Sequence, residues 1–228
     1  MGLNEKFFGS ATGRPFDSGA AIWLDAANPD SYDGTGSTWY DLSDTTRNGT
    51  INGATWSSGG YFDFDGTNDW IQTSYVPASV TGFSTAMWIN ADAVGYNKSI
   101  SGFWLNGGGR IDYMLNSEAS NTSNINGNII QFKKTDFIGN WNHVAVSMTN
   151  ITAYNTGGSY ASAITAKIYY NGALVNTVYP TPYQSAPTGM RFGRSGFGYY
   201  YDGQMSKAVV YESALTASEI LALYQEPR

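Results

Sequence analysis

The fold turns on the stretch "YDGQMSKAVVYESALTASEILALY", Tyr201 to Tyr224. Its first half, "GQMSKAVVYES", is a β-prone run that reads as a strand. Its second half changes period and opens a helix. Thr216 takes the N-cap, with Glu219 three residues on to complete a capping box, and Leu215 and Ile220 occupy the flanking hydrophobic-staple positions. The spacing predicts a helix from about Ala217 to Gln225, with Ile220, Leu221, Leu223 and Tyr224 packing onto whatever the strand belongs to.

Upstream, the strand-and-turn rhythm is steady from Ala20 onward. "AAIWLDA" is a short apolar strand, and "NPDSYDGTGS" after it is turn chemistry. "GYFDF", "WIQTSYV", "FSTAMWIN", "SISGFWL", "RIDYMLN" and "NIIQFKK" follow as further strands, and "MRFGRSG" precedes the last one. In "WNHVAVSM", Asn142, Val144, Val146 and Met148 form the apolar face and are expected to point inward. Asn171-Gly172 sits between two β-prone runs and predicts a two-residue type I′ hairpin. About a dozen short strands with regular turns predict an all-β, two-sheet antiparallel jelly-roll sandwich with a short C-terminal helix. Neither repeats nor linkers appear, so residues 20–228 read as one domain. Residues 1–19 lack a period and carry Phe7, Phe8 and Phe16 as isolated anchors, which suits an N-terminal docking arm.

Composition agrees. Of the 228 residues, 42% are hydrophobic and 15% aromatic, enough for a sizeable core. Only 13% are charged, against roughly 25% in an average soluble domain. The net charge is −6 and the densest cationic pair is Lys133-Lys134, a poor match to a duplex-binding surface. The chain has no cysteine, which removes thiol catalysis, thiolate metal sites and disulfides. Its first residues have no apolar core of signal-peptide length, and Lys6 breaks the myristoylation pattern. The longest apolar run is about five residues, far below the roughly 20 that span a bilayer. The expectation is a soluble protein made in a cytoplasm, with neither nucleic acid nor membrane as partner.

The motifs "FDFDGTNDWIQ", "FSTAMWIN", "WNHVAVSM", "YYNGALV" and "RFGRSG…YDGQMSKAVVYESALTASEILALY" together resemble the laminin-G-like, concanavalin-A-like jelly-roll family. They spread over residues 20–225, about nine-tenths of the chain. The opening "IWLDAANPDSYDGTGSTWYDLS…NGTINGATW" is also similar to versions of this domain in bacteriophage structural proteins.

The resemblance implies a calcium site at a sandwich rim, for which Asp65, Asn68 and Asp69 could supply hard oxygens. The residues themselves support a turn. Phe62 and Phe64 alternate inward, Asp63 and Asp65 outward, and Asp65-Gly66-Thr67-Asn68 reverse the chain. The favoured expectation is therefore no metal and no cofactor. In the family the "W-x-H-V-A" run is a fold signature, so His143, the only histidine, is expected to make a structural hydrogen bond.

Catalysis has little to work with. There is no G-x-S-x-G elbow and no E-x-D-x-x-E strand, and of the five glutamates only Glu118 lies in a loop away from both ends. A non-enzyme is expected. Candidate contact residues are the aromatics Trp104, beside "NGGG", and Tyr199, Tyr200 and Tyr201 in "GFGYYYDG", since three adjacent tyrosines cannot all face inward. Exposed tyrosines suit a sugar platform and a protein interface equally. The resulting expectation is a non-catalytic virion structural protein, a capsid decoration (cement) protein or a tail or fibre accessory. It would assemble in the host cytoplasm, sit on the virion surface, dock on shell or tail proteins and be able to hold a host-surface glycan. The alternative is a calcium-assisted carbohydrate-binding module or adhesin.

Overall fold

In the computed structural model the described residues are 19–43, 47–77, 81–95, 98–105, 109–116, 124–126, 129–133, 137–151, 164–181, 183–184 and 189–228. The side chains of 104, 105, 109, 124–126, 133 and 183–184 lie outside the description, as do residues 1–18 with Phe7, Phe8 and Phe16. Everything below refers to the described residues.

Two sheets face each other. The first has eight strands, in the order Ala173–Val178, Thr165–Tyr170, Trp141–Thr149, Phe83–Ala91, Asp202–Tyr211, Tyr61–Asp65 and Thr55–Ser57. Ile22–Asp25 pairs with the far end of Asp202–Tyr211. The second has nine, in the order Asn124–Asn126, Ile129–Lys133, Gly109–Asn116, Lys98–Leu105, Arg191–Phe192, Trp70–Gln72, Gly49–Asn52 and Thr38–Trp39, with Tyr183–Gln184 beside Gly109–Asn116. Strand neighbours distant in sequence make this a jelly-roll topology rather than a meander. One departure from the antiparallel expectation is the parallel pairing of Ile129–Lys133 with Gly109–Asn116. Two parallel neighbours cannot be joined by a tight hairpin, and here Asn124–Asn126 lies in the connection and pairs antiparallel with Ile129–Lys133.

Side-chain alternation fills the space between the sheets. Phe62 and Phe64 are buried while Asp65 is exposed, and Val144, Val146 and Met148 join them from Trp141–Thr149. Ile71, Phe103, Ile111, Tyr113, Phe132 and Phe192 enter from the second sheet. The rings interlock, with centroids 4.8 Å apart for Trp39 and Phe62 and 4.9 Å for Phe83 and Phe103. Burying each such side chain contributes about 1.5–3 kcal/mol relative to leaving it in water.

Part of the outer face of the first sheet is covered as well. Ala86, Ala145, Tyr169, Val209 and Tyr211 form a second apolar cluster with Leu215, Ile220 and Leu223. Two buried serines clip the incoming chain. The Ser84 hydroxyl donates to the Ser213 carbonyl (2.8 Å) and accepts from the Leu215 amide (2.9 Å), while Ser147 donates to the Leu215 carbonyl (2.7 Å). The helix Ala217–Gln225 then starts from Thr216 with both arms of the capping box formed. Leu221 departs from the expectation, because it lies beside the Gly172 turn at the sheet's end and is 42% exposed. Ile220 and Leu223, three apart, set the buried stripe, and Leu221 lies off it. No helix is long and apolar enough to cross a membrane.

The Asn171-Gly172 turn has φ of 47° and 78°, the two positive values a type I′ hairpin needs. Asn171 is also a brace, since its side-chain oxygen accepts the His143 backbone amide at 2.8 Å. The expected hydrogen bond from the His143 side chain is replaced by ring packing. Its imidazole packs beside the stacked pair Trp88 (5.4 Å) and Tyr224 (5.9 Å), and neither ring nitrogen has a hydrogen-bond partner among the described residues. Burial drives its pKa down from 6.5 to about 3, so the ring is neutral at ordinary pH.

Candidate functional site

The outer face of the second sheet is built differently. In Arg191–Phe192 the phenylalanine points into the core, which turns Arg191 outward. By the same alternation Ile71 and Ile111 face inward, leaving Trp70, Gln72, Arg110 and Asp112 on the outer face. Ladder register puts Arg191 opposite Gln72 on one side and Gly102 on the other, with Asp112 opposite Gly102.

A loop from Gly193 to Tyr201 folds over this row. Ser195 is its buried knot, because its hydroxyl accepts the Phe197 and Tyr199 amides, each at 3.1 Å, and its own amide donates to the Tyr199 carbonyl at 2.9 Å. The Gly196 amide donates to Asp112 at 2.9 Å. Gly196 also lies hard against Arg110, where a Cβ would fall 2.3 Å from a guanidinium nitrogen. A residue with a side chain would push the arginine out of place.

The result is an arginine–aromatic patch. Arg110 lies 4.2 Å above the Phe197 ring, Arg191 and Arg194 lie 5.3 and 5.1 Å from the Trp70 centroid, and Arg194 is also 5.3 Å from Tyr200. These are cation–π distances. Arg191 donates its Nε–H to Gln72 at 3.0 Å, and Arg110 donates to the fully buried Asp112 at 3.0 Å. Burial raises the Asp112 pKa, opposed by the Gly196 amide and then by Arg110. Burial lowers the Arg191 pKa, and the neighbouring Arg194 and Arg110 charges lower it further. Three guanidiniums therefore share one face with one carboxylate.

The sequence-derived candidates fall out unevenly. Tyr199 and Tyr200 are half-buried on this loop, Tyr199 with its ring 6.0 Å from Phe197. Tyr201 is not a contact residue. Its amide bonds the Gly193 carbonyl, which turns the ring into the core 5.7 Å from Phe64, and its hydroxyl donates to the Gln204 carbonyl. Trp104 pairs with Arg110 in the ladder, and its side chain lies outside the described residues, as does Glu118.

The Asp65 loop leads into Trp70 and behaves as a turn. Asp65 accepts the Thr67 and Asn68 amides at 2.8 and 3.2 Å, which hold its pKa below the usual carboxylate range. Asp69 accepts the Asp65 amide at 3.0 Å, and burial raises its own pKa. No group of three or more His, Cys, Asp or Glu converges to hold a metal. The residues missed from the sequence are Trp70, Arg110, Asp112, Arg191, Arg194 and Phe197. A signal was there, since Arg110 and Arg191 each precede an inward-facing residue on a strand, in a chain with only 12 Lys and Arg.

Sheet order, core and covering helix define a concanavalin A-like sandwich. Residues 65–221 match the family Laminin_G_3 of the concanavalin A-like lectin/glucanases superfamily, and the chain belongs to that family. Among solved structures it is similar to domain 4 of the extracellular arabinanase AbnA from Geobacillus stearothermophilus in complex with arabinotriose. The two are 16% identical over 91% of this chain and 98% of that one, with a TM-score of 0.63. It is also similar to Trypanosoma rangeli sialidase, at 16% identity and a TM-score of 0.54, over 90% of this chain but only 32% of that one. A third likeness is to the receptor binding domain of botulinum neurotoxin type G, at 15% identity and a TM-score of 0.53, covering 91% and 51%. At these identities the likeness is one of fold. No curated protein sequence matches this one.

Proposed function

We propose that this chain is a non-catalytic domain that binds a glycan on the outer face of its second sheet, at the arginine–aromatic patch. The observation that carries the reading is the set of three guanidiniums held over Trp70, Phe197 and Tyr200. Saccharide sites need planar groups for the sugar faces and fixed polar donors for its oxygens, already in position before the ligand arrives. Membership of a lectin and glucanase superfamily supports this, as does a similar domain solved with arabinotriose. Asp112 is held by Arg110 and the Gly196 amide, an arrangement suited to positioning rather than to proton transfer.

Binding would need no cofactor, because the Asp65 and Asp69 carboxylates accept the amides of their own turn. The test is a glycan array probed with the full chain, followed by titration calorimetry on any hit. Binding that survives a chelator and is lost in Trp70→Ala supports the reading. Binding that vanishes with chelation, or an array without hits, overturns it.

The setting we propose is a bacteriophage particle surface, as capsid decoration or as a tail or fibre accessory. Its support is the phage-like opening from Ile22 to Trp56. Quantitative proteomics of gradient-purified particles tests it. A simple ratio to the shell subunit supports decoration, a few copies per particle supports the tail or fibres, and absence removes the virion setting.

A further inference from the structure

We infer that the patch selects acidic sugars, and that Arg191 and Arg194 grip a saccharide carboxylate beside Trp70. The inference rests on the glycan-binding reading and narrows its ligand class. Asp112 is the carboxylate the patch shares: the Arg110 Nε–H reaches it at 3.0 Å and its charge also acts on Arg191, so the three guanidiniums exceed their counter-charge. Arg191 and Arg194 sit on a common ring, 5.3 and 5.1 Å from the Trp70 centroid. Gln72, which accepts from Arg191, is neutral, so it orients that guanidinium without cancelling its charge.

Two like charges sharing a ring repel each other. A ligand carboxylate relieves that repulsion. It is planar, offers two oxygens, and matches a guanidinium fork in a way that a hydroxyl does not. The rings keep the forks in place beforehand, so less ordering remains to be done on binding. The chain is otherwise acidic, at −6 overall. A local cationic face on such a surface is a specific feature rather than part of a general positive field.

The experiment titrates the intact chain against oligogalacturonate, oligosialic acid, a neutral arabino-oligosaccharide and a sulfated dextran oligomer, at low and at high salt. The expected result is carboxylated oligomers bound above the neutral one, with affinity falling as salt rises. Arg194→Gln should weaken carboxylate binding about tenfold to a hundredfold, and Arg194→Lys should restore only part of it because the fork is lost. Thermal melts of both variants check that the loop still folds. Equal affinity for neutral and acidic oligomers, both lost in Trp70→Ala, would overturn the acidic preference and leave the glycan site standing. Acidic binding unchanged in Arg194→Gln would also overturn it, since the arginines would then only pin the loop. Tighter binding of the sulfated oligomer at the same arginines would overturn the choice of carboxylate. No binding of any oligomer would remove the glycan reading itself.

Discussion

The outer faces of the two sheets start from the same alternation and end in opposite states. On the first, small and apolar residues such as Ala86, Ala145 and Val209 are sealed under Ile220 and Leu223. On the second, the outward positions carry Trp70, Gln72, Arg110, Asp112 and Arg191, and a loop with its own arginine folds across them. One face stores apolar area and the other stores charge held by rings. Substitutions on the first should therefore show in stability, and those on the second in binding.

The sharpest way to break this contrast is at the helix. Ile220 is fully buried, so Ile220→Ala should lower unfolding free energy by about 2–5 kcal/mol in denaturant titration. It should leave any glycan affinity of the folded chain unchanged. A variant that keeps its stability would mean the helix is not a working part of the fold.

The second effect follows from His143. Its folded pKa is about 3 against 6.5 in the unfolded chain, so protonation favours the unfolded state between those values. Stability should be level above pH 6.5 and fall as pH drops toward 3, by at most about 1.4 kcal/mol per pH unit from this residue. Comparing the wild-type pH profile with that of His143→Phe isolates the contribution. Parallel profiles would show that the imidazole is not buried in its neutral form.

The smallest stability effect is expected at Arg194, which is half-buried on the loop. Arg194→Gln should change unfolding free energy by no more than about 0.5 kcal/mol. A large loss would move the arginines from the binding side of the comparison to the structural side.

What the sequence disclosed follows the same divide. The capping box, the staple pair Leu215 and Ile220, and the Asn171-Gly172 hairpin were legible because each is settled by residues a few positions apart. The inward set Val144, Val146 and Met148 was legible from period alone. The patch was not, because its contacts join residues far apart in the chain. Arg191 meets Gln72 across 119 positions, and Gly196 meets Asp112 across 84. Nor could local reasoning choose among three adjacent tyrosines, since one backbone bond to Gly193 decides that Tyr201 turns inward. Leu221 was misplaced because an apolar residue beside the buried stripe looks in sequence like a member of it.

The helix Ala217–Gln225 lies flat on one sheet, with Tyr224 stacked on Trp88 and Arg228 3.9 Å over Trp141. On the proposed reading the arginine–aromatic patch lies on the opposite sheet, and each copy contributes one such patch. A particle or cell carrying this domain would gain grip from the number and spacing of copies rather than from two ends of one molecule. Weak individual contacts would then add up through high local concentration across an array.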